Sequence, residues 1–312
     1  EFSGNSFHLH TYMGVYEIRD RDEAVSIMVD KANIAADTIK NNYDCCVAYY
    51  DEHLLEISIE QRRLLGEFEP ALQKGEFVMY LQPQVNRDGA AKGAEALVRW
   101  AHPSRGILTP YAFIDILENA GLIYKLDLYI WEKAAQKLAE WKEKGYGSYH
   151  ISVNISTKDF YIIDIYETFT GLINKYGIAA SNLHLEITET TLMTDFEKNM
   201  NIIHKLQNVG FRVEIDDFGS GYSSLNMLKD ISADVLKIDM GFLRKSENEV
   251  KGQDILESII TLAGKIGMDV ITEGVETKKQ LDMLTMMGCH EFQGYYFSKP
   301  VPVSEFEEKY LV

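Results

Sequence analysis

Acidic, amide and lysine side chains recur at or near the ends of apolar, strand-like runs. Asn154 stands in HISVNIS, Glu186 and Glu189 in LHLEITE, Asp216 and Asp217 in FRVEIDD, Lys237 in DVLKID and Glu273 in DVITEGVE, with Glu95 upstream in GAEALVRW. Carboxylates gathered at one rim repel by about 4 kcal/mol per pair at about 4 Å and an effective dielectric of about 20, so four of them demand cations. The candidate ligands are all oxygens and no His or Cys cluster accompanies them, which favours Mg2+ or Mn2+ over Zn2+. The adjacent Asp216 and Asp217 could serve two ions, one carboxylate bridging, as in two-metal phosphodiester chemistry.

The spacing predicts the elements that must position these groups. From Glu186 to Asp216 is 30 residues, from Asp217 to Lys237 is 20 and from Lys237 to Glu273 is 36, room for one helix between each pair of strands. Residues 67 to 312 number 246, close to the ~250 of a (β/α)8 barrel. Strands are expected at 77–82, 93–100, 149–155, 183–188, 211–216, 234–238, 269–273 and 289–293. Helices are expected at 111–120, 126–144, 158–176, 195–209, 248–267 and 277–287, with Gly210, Gly267 and Gly288 as stops. The first two strands are joined only by Asn86 to Gly89 and their neighbours, a hairpin-like turn, so the fold reads as a TIM-like α/β barrel with one antiparallel strand. Barrel chemistry belongs to the C-terminal ends of the strands. Glu95 stands early in its strand, on the wrong rim of an all-parallel barrel, unless a reversed first strand brings it into the mouth; the sequence leaves both open.

Upstream, residues 7–18, 22–41 and 45–50 read as strand, helix and strand, a small α+β remnant too short for a convincing core of its own. Residues 52–74 carry Leu54, Leu55, Ile59, Leu64, Leu65, Phe68 and Leu72 between charges and read as a connecting helix. The expected domains are therefore 1–51, a connection over 52–66, and the barrel over 67–312.

Composition bounds the function. The chain is 46% hydrophobic and 25% charged, with 22 Gly and 6 Pro in 312 residues, as an ordinary globular protein is. No apolar run is long enough to span a membrane and no signal-peptide pattern opens the chain, so a soluble, cytoplasmic protein is expected. The opening Glu-Phe-Ser, without Met, suggests a fragment whose full-length parent could be membrane-attached through upstream domains. A net charge of −17 argues against a nucleic-acid polymer as partner, whereas cations can adapt an acidic pocket to a small phosphorylated ligand. Cys45, Cys46 and Cys289 form no disulfide or metal framework and read as reduced packing residues.

Several features have plainer readings. Asp239 reads as a turn former, Glu276 as a first-turn helix acid and Gln293 as either a polar strand residue or a ligand contact. The eight histidines, His150, His184 and His204 among them, show no ligand spacing and read as structural. Lys237 is different, because an unpaired charge in an apolar strand is costly.

Taken in order, Glu95-Ala96-Leu97 with Arg99, Val153-Asn154-Ile155-Ser156, Glu186-Ile187-Thr188-Glu189, Asp216-Asp217-Phe218-Gly219, Leu236-Lys237-Ile238-Asp239, Glu273-Gly274-Val275-Glu276 and Gln293-Gly294-Tyr295 resemble the motifs of EAL-domain cyclic di-GMP phosphodiesterases. The resemblance covers 67–312. It implies two Mg2+ or Mn2+ ions, one held by Glu95, Asn154, Glu186 and Asp216 and the second by Asp216 and Asp217. Lys237 would orient the attacking water and phosphate, Glu273 would act as base or support, and Glu189 would brace the loop from Asp216 to Ser224. Gln82, Arg99 and Gln293 would contact the ligand, with Leu97, Tyr295 and Pro300 near its bases. The departures are Ser220 where Thr is usual, Thr272 where Ala is usual and Leu81 where Tyr is usual; none removes a ligand. The resemblance implies hydrolysis of cyclic di-GMP to linear pGpG, with a non-catalytic cyclic di-GMP receptor as the rival reading and another metal-dependent phosphoester hydrolase behind it. It also implies a homodimer. Residues 7–50 resemble the end of a GGDEF domain without its cyclase signature, so no cyclase activity is expected.

Overall fold

The computed structural model describes residues 11–40, 45–218, 231–241 and 249–311. The chain divides into two compact units, 1–70 and 71–312. In the first, strands β1 (Met13–Val15) and β2 (Val47–Tyr49) pair in parallel, joined by helix α1 (Val25–Asp37). Gly14 lies so close to α1 that a Cβ there would meet the Ala32 carbonyl, which is why this strand carries glycine opposite the helix. Helix α2 runs from Glu52 to Lys74.

The second unit is the barrel. Its strands are β3 (Phe77–Asn86), β4 (Ala91–His102), β6 (His150–Ile155), β7 (Leu183–Thr188), β8 (Val213–Asp216), β9 (Val235–Asp239), β10 (Asp269–Glu273) and β11 (Glu291–Phe292); β5 (Gly106–Leu108) and β12 (Val301–Pro302) are short outer strands. Around the barrel the order is β3-β11-β10-β9-β8-β7-β6-β4, and the β4–β3 pairing closes it. Among the described strands only β3 runs against its two barrel neighbours, β4 and β11; the other six described barrel pairings are parallel. The reversal is built into the β3–β4 hairpin, where Asn86 Oδ1 accepts the N–H groups of Asp88 and Ala90 and Gly89 takes φ +84°. The eight expected barrel strands are all present.

Among the described residues the α-helices of this unit are α3 (Ile114–Asn119), α4 (Ile123–Glu143), α5 (Asp159–Ile162), α6 (Ile165–Tyr176), α7 (Glu189–Thr194), α8 (Phe196–Val209), α9 (Glu249–Lys265), α10 (Lys278–Met286) and α11 (Val303–Tyr310). The helix expected over 158–176 is two helices. Ile163 is extended, and the Asp164 side chain accepts the N–H of Glu167 and starts a new helix, an N-cap the periodicity had hidden. Gly210, Gly267 and Gly288 all sit at positive φ after helices, as expected of left-handed stops. Helix α7, the outer strands β5 and β12 and helix α11 were not expected. In α7 Thr188 ends its strand and caps the next helix with one side chain, leaving no loop to betray the boundary.

The position of Glu95 is settled by strand length. β4 has 12 residues, but only Gly93–Glu95 pair with β6; from Ala96 onward the strand overshoots the barrel, paired with β3 and, from Trp100, with β5. Glu95 therefore stands at the end of the part of β4 that belongs to the barrel wall.

Candidate active site

Four carboxylates converge on one ammonium. Lys237, fully buried in β9, places Nζ 2.6 Å from Glu273 Oε1, 2.9 Å from Glu186 Oε1, 3.4 Å from Glu95 Oε2 and 3.6 Å from Asp216 Oδ1. The strand period of two explains the convergence: these residues and Asn154 share the inward face of neighbouring strands, with Asn154 opposite Glu186 and Gln82 opposite Glu95. Asn154 Nδ2 donates to Glu95 Oε1 at 3.2 Å, and Gln293 Nε2 donates to Glu95 Oε2 at 2.5 Å and to Gln82 Oε1 at 3.3 Å. Gln82 in turn donates to the Ser298 carbonyl at 3.3 Å. Gln82 and Gln293 thus form a bracket that holds Glu95.

The electrostatics are those of an over-filled acidic site. Removal from water raises the carboxyl groups of Glu186 and Glu273 well above the usual range and raises that of Asp216 by less, with neighbouring carboxylates adding to the rise and Lys237 opposing it. Burial alone would depress Lys237, but Asp216, Glu186, Glu273 and Glu95 together raise it well above an ordinary lysine. Both oxygens of Glu186 are buried without a hydrogen bond; Oε1 is within ion-pair distance of Lys237 but off the bonding direction. Buried acceptors left in this state suit a further cation. An all-oxygen donor set of Glu95, Asn154, Glu186, Asp216 and Asp217 fits a hard divalent ion.

Asp217 has φ +56°, the one positive φ outside glycine among the described residues, and its N–H bonds to Asp216 Oδ1 at 2.8 Å. Such a left-handed residue costs about 1–2 kcal/mol, least for Asp and Asn. The Asp216 side chain thereby braces the backbone turn at Asp217. Glu189 occupies the first turn of α7, half-buried. The loop it is expected to brace, with Gly219, Ser220, Gly221 and Ser224, lies outside the described residues.

Beside Asn154 opens a cavity of about 270 Å3, walled by Leu97, Pro110, Ile114, Ile123, Ile130 and Trp131 with the carboxyl groups of Glu118 and Asp127. Glu118 and Asp127 were missed in the sequence, where they read as polar positions of ordinary helices. Burial raises Asp127 well above its usual value, helped by Asp159, with which it shares a hydrogen bond. Arg99 is half-buried over the Tyr80 ring, 5.5 Å from its centroid, and donates to the Val98 carbonyl. Tyr295 is exposed with Lys299 over its ring, and Pro300 is half-buried before β12. Gly294 brings this segment against the barrel: a Cβ there would stand 2.3 Å from the Val275 backbone. Asp239 accepts the Gly241 N–H, the turn role expected of it.

The opposite rim carries a second polar cluster. His150 and His184 stack with ring centroids 3.9 Å apart, His184 Nδ1 lies 2.6 Å from Glu214 Oε1, and His150 Nε2 lies 2.7 Å from Gln84 Oε1. The structure thus unites two histidines that the sequence reading took as scattered. The signal was in the strand period: His150 is four residues before Asn154, His184 two before Glu186 and Glu214 two before Asp216.

Residues 66–300 match the family model of the EAL domain. The chain is 32% identical over 272 residues to the bifunctional diguanylate cyclase/cyclic di-GMP phosphodiesterase MucR of Pseudomonas aeruginosa, covering 87% of this chain and 39% of that protein. It is 32% identical over 240 residues to the cyclic di-GMP phosphodiesterase PdeR of Escherichia coli, covering 77% and 36%. It is similar to the solved structure of the PaMucR phosphodiesterase in its c-di-GMP complex, with TM-score 0.74, 33% identity and coverage of 78% of this chain and 99% of that one. The chain belongs to the EAL-domain family. It spans well under half the length of these curated relatives.

Proposed function

We propose that this chain is a metal-dependent phosphodiesterase that hydrolyses cyclic di-GMP to linear pGpG. EAL domains are a metal-dependent family, and the observation that carries the reading here is the convergence of four carboxylates on Lys237 with both Glu186 oxygens lacking hydrogen bonds. Glu95, Asn154, Glu186 and Asp216 would hold one Mg2+ or Mn2+ ion, and Asp216 with Asp217 a second. Divalent cations bound there would supply a water nucleophile at neutral pH and neutralise charge on the phosphodiester.

The chain's own residues do the rest. Lys237 Nζ donates to the phosphate oxygen on which charge develops, at no reorganisation cost because four acids already hold it. Glu273, raised by burial and 2.6 Å from Lys237, accepts a proton at its carboxylate when the attacking water gives one up. Gln82 and Gln293 hold Glu95 in place. The cavity beside Asn154 has apolar walls for a purine and carboxyl groups that can accept from its N–H edge, which suits one guanine with Leu97 at its side. Arg99, Tyr295 and Pro300 form the outer contacts.

The finer assignments rest on the same reading. Residues 1–51 are taken as the end of a GGDEF-like domain, 52–66 as connection and 67–312 as the EAL barrel; the match to MucR, longer than the 66–300 EAL segment, supports the first. The protein acts as a homodimer in the cytoplasm; no described helix is long and apolar enough to cross a membrane. Calorimetric titration of Mg2+ and Mn2+ into the wild type and Glu186→Gln tests the site: wild type binds and the variant loses affinity, whereas equal affinity in both removes Glu186 from the ligand set.

A further inference from the structure

The polar cluster at the lower rim has the makings of a site. His150, His184 and Glu214 come from three adjacent strands, β6, β7 and β8, and each offers one ligand atom within 4.8 Å of the others. Glu214 is fully buried, yet its Oε2 has no hydrogen-bond partner, and Gln84 Nε2 beside it is also buried without one. A network built only to plug the barrel would satisfy both. Space for the ring of His150 is made by Gly93, its cross-strand partner, where a Cβ would stand 2.4 Å from the imidazole. A cavity of about 580 Å3, lined by all three residues, opens at this rim and gives an ion a path and a water a fourth position. Two imidazoles, one carboxylate and one open position make a donor set for a borderline transition ion, unlike the all-oxygen set above it.

We propose that His150, His184 and Glu214 form a binding site for one Zn2+-class divalent ion at the N-terminal end of the barrel. The 2.6 Å spacing of His184 Nδ1 and Glu214 Oε1 is that of a shared hydrogen. Loading displaces that proton, opens the pair and splays the stacked rings so that both nitrogen lone pairs reach the ion. The bound ion ties together the lower ends of the strands that carry Asn154, Glu186 and Asp216 above.

The test uses the whole chain, stripped of metal and then given excess Mg2+ to fill the oxygen site. Zn2+ is added, unbound metal is removed, and zinc content and X-ray absorption fine structure are measured. The proposal expects one retained Zn2+ per chain with imidazole scattering in its shell, unaltered by Asp216→Asn and weakened at least about ten-fold by His150→Gln or Glu214→Gln. No retained zinc, a shell of oxygens alone, or undiminished affinity in folded His150→Gln and Glu214→Gln would overturn it. The absorption spectrum of the wild type decides the matter if those variants fail to fold.

Discussion

Lys237 and Glu186 are both fully buried on strands that do not pair with each other, and yet Nζ and Oε1 stand 2.9 Å apart across the barrel interior. The lysine therefore stands where a cation is needed to make the acidic mouth foldable. Lys237→Met should leave the carboxylates without their counter-charge and cost about 3–5 kcal/mol in metal-free protein. Divalent cations should recover part of the loss, while turnover stays down by about 10²–10³-fold. Chemical denaturation with and without Mg2+, alongside initial rates, checks both.

Asp217 separates conformation from chemistry. Asp217→Asn keeps a residue that tolerates the left-handed region, so stability should stay within about 0.5 kcal/mol while metal-dependent turnover falls. Asp217→Ala should lose about 1 kcal/mol besides. Equal turnover in Asp217→Asn would take this carboxylate out of the second ion's ligand set.

The Asp127 carboxyl gives a pH signature with a definite sign. Its folded value is raised above 3.8, so above that pH the folded state holds a proton that the unfolded chain has lost. Its contribution to stability therefore falls as pH rises from about 4 through the raised value. Asp127→Asn keeps a donor towards Asp159 and should flatten this part of the stability profile, measured by urea denaturation across pH. An unchanged profile would mean that Asp127 does not retain its proton.

Gly294→Ala should be costly out of proportion to one methyl group, because the added carbon meets the Val275 backbone rather than a movable side chain. A loss of about 1–3 kcal/mol is expected, with weaker ligand binding as Gln293 is displaced from Glu95. Thermal melts and ligand titration of the variant read both effects.

The barrel was legible because parallel strands buried on both faces write near-continuous apolar runs, and because a polar residue ending each run stands out against them. The hairpin at Asn86–Gly89 revealed the reversed strand. The depth of Glu95 was not legible, since it depends on where β4 leaves the barrel wall, a matter of register with β6 rather than of pattern. Glu118 and Asp127 were hidden for a similar reason: helical periodicity says which face is polar, not which cavity that face lines. His150, His184 and Glu214 carried a readable alignment with Asn154, Glu186 and Asp216, but its members lie on three strands and stand 34 and 30 residues apart in sequence.

The most direct measurement is chromatography of cyclic di-GMP incubated with the protein in Mg2+, in Mn2+ and in chelator, with Glu95→Gln and Asp216→Asn in parallel. The account predicts linear pGpG in either metal, none in chelator and little with either variant. Intact cyclic di-GMP in all lanes, with binding shown by titration, would contradict it and leave a receptor in place of an enzyme.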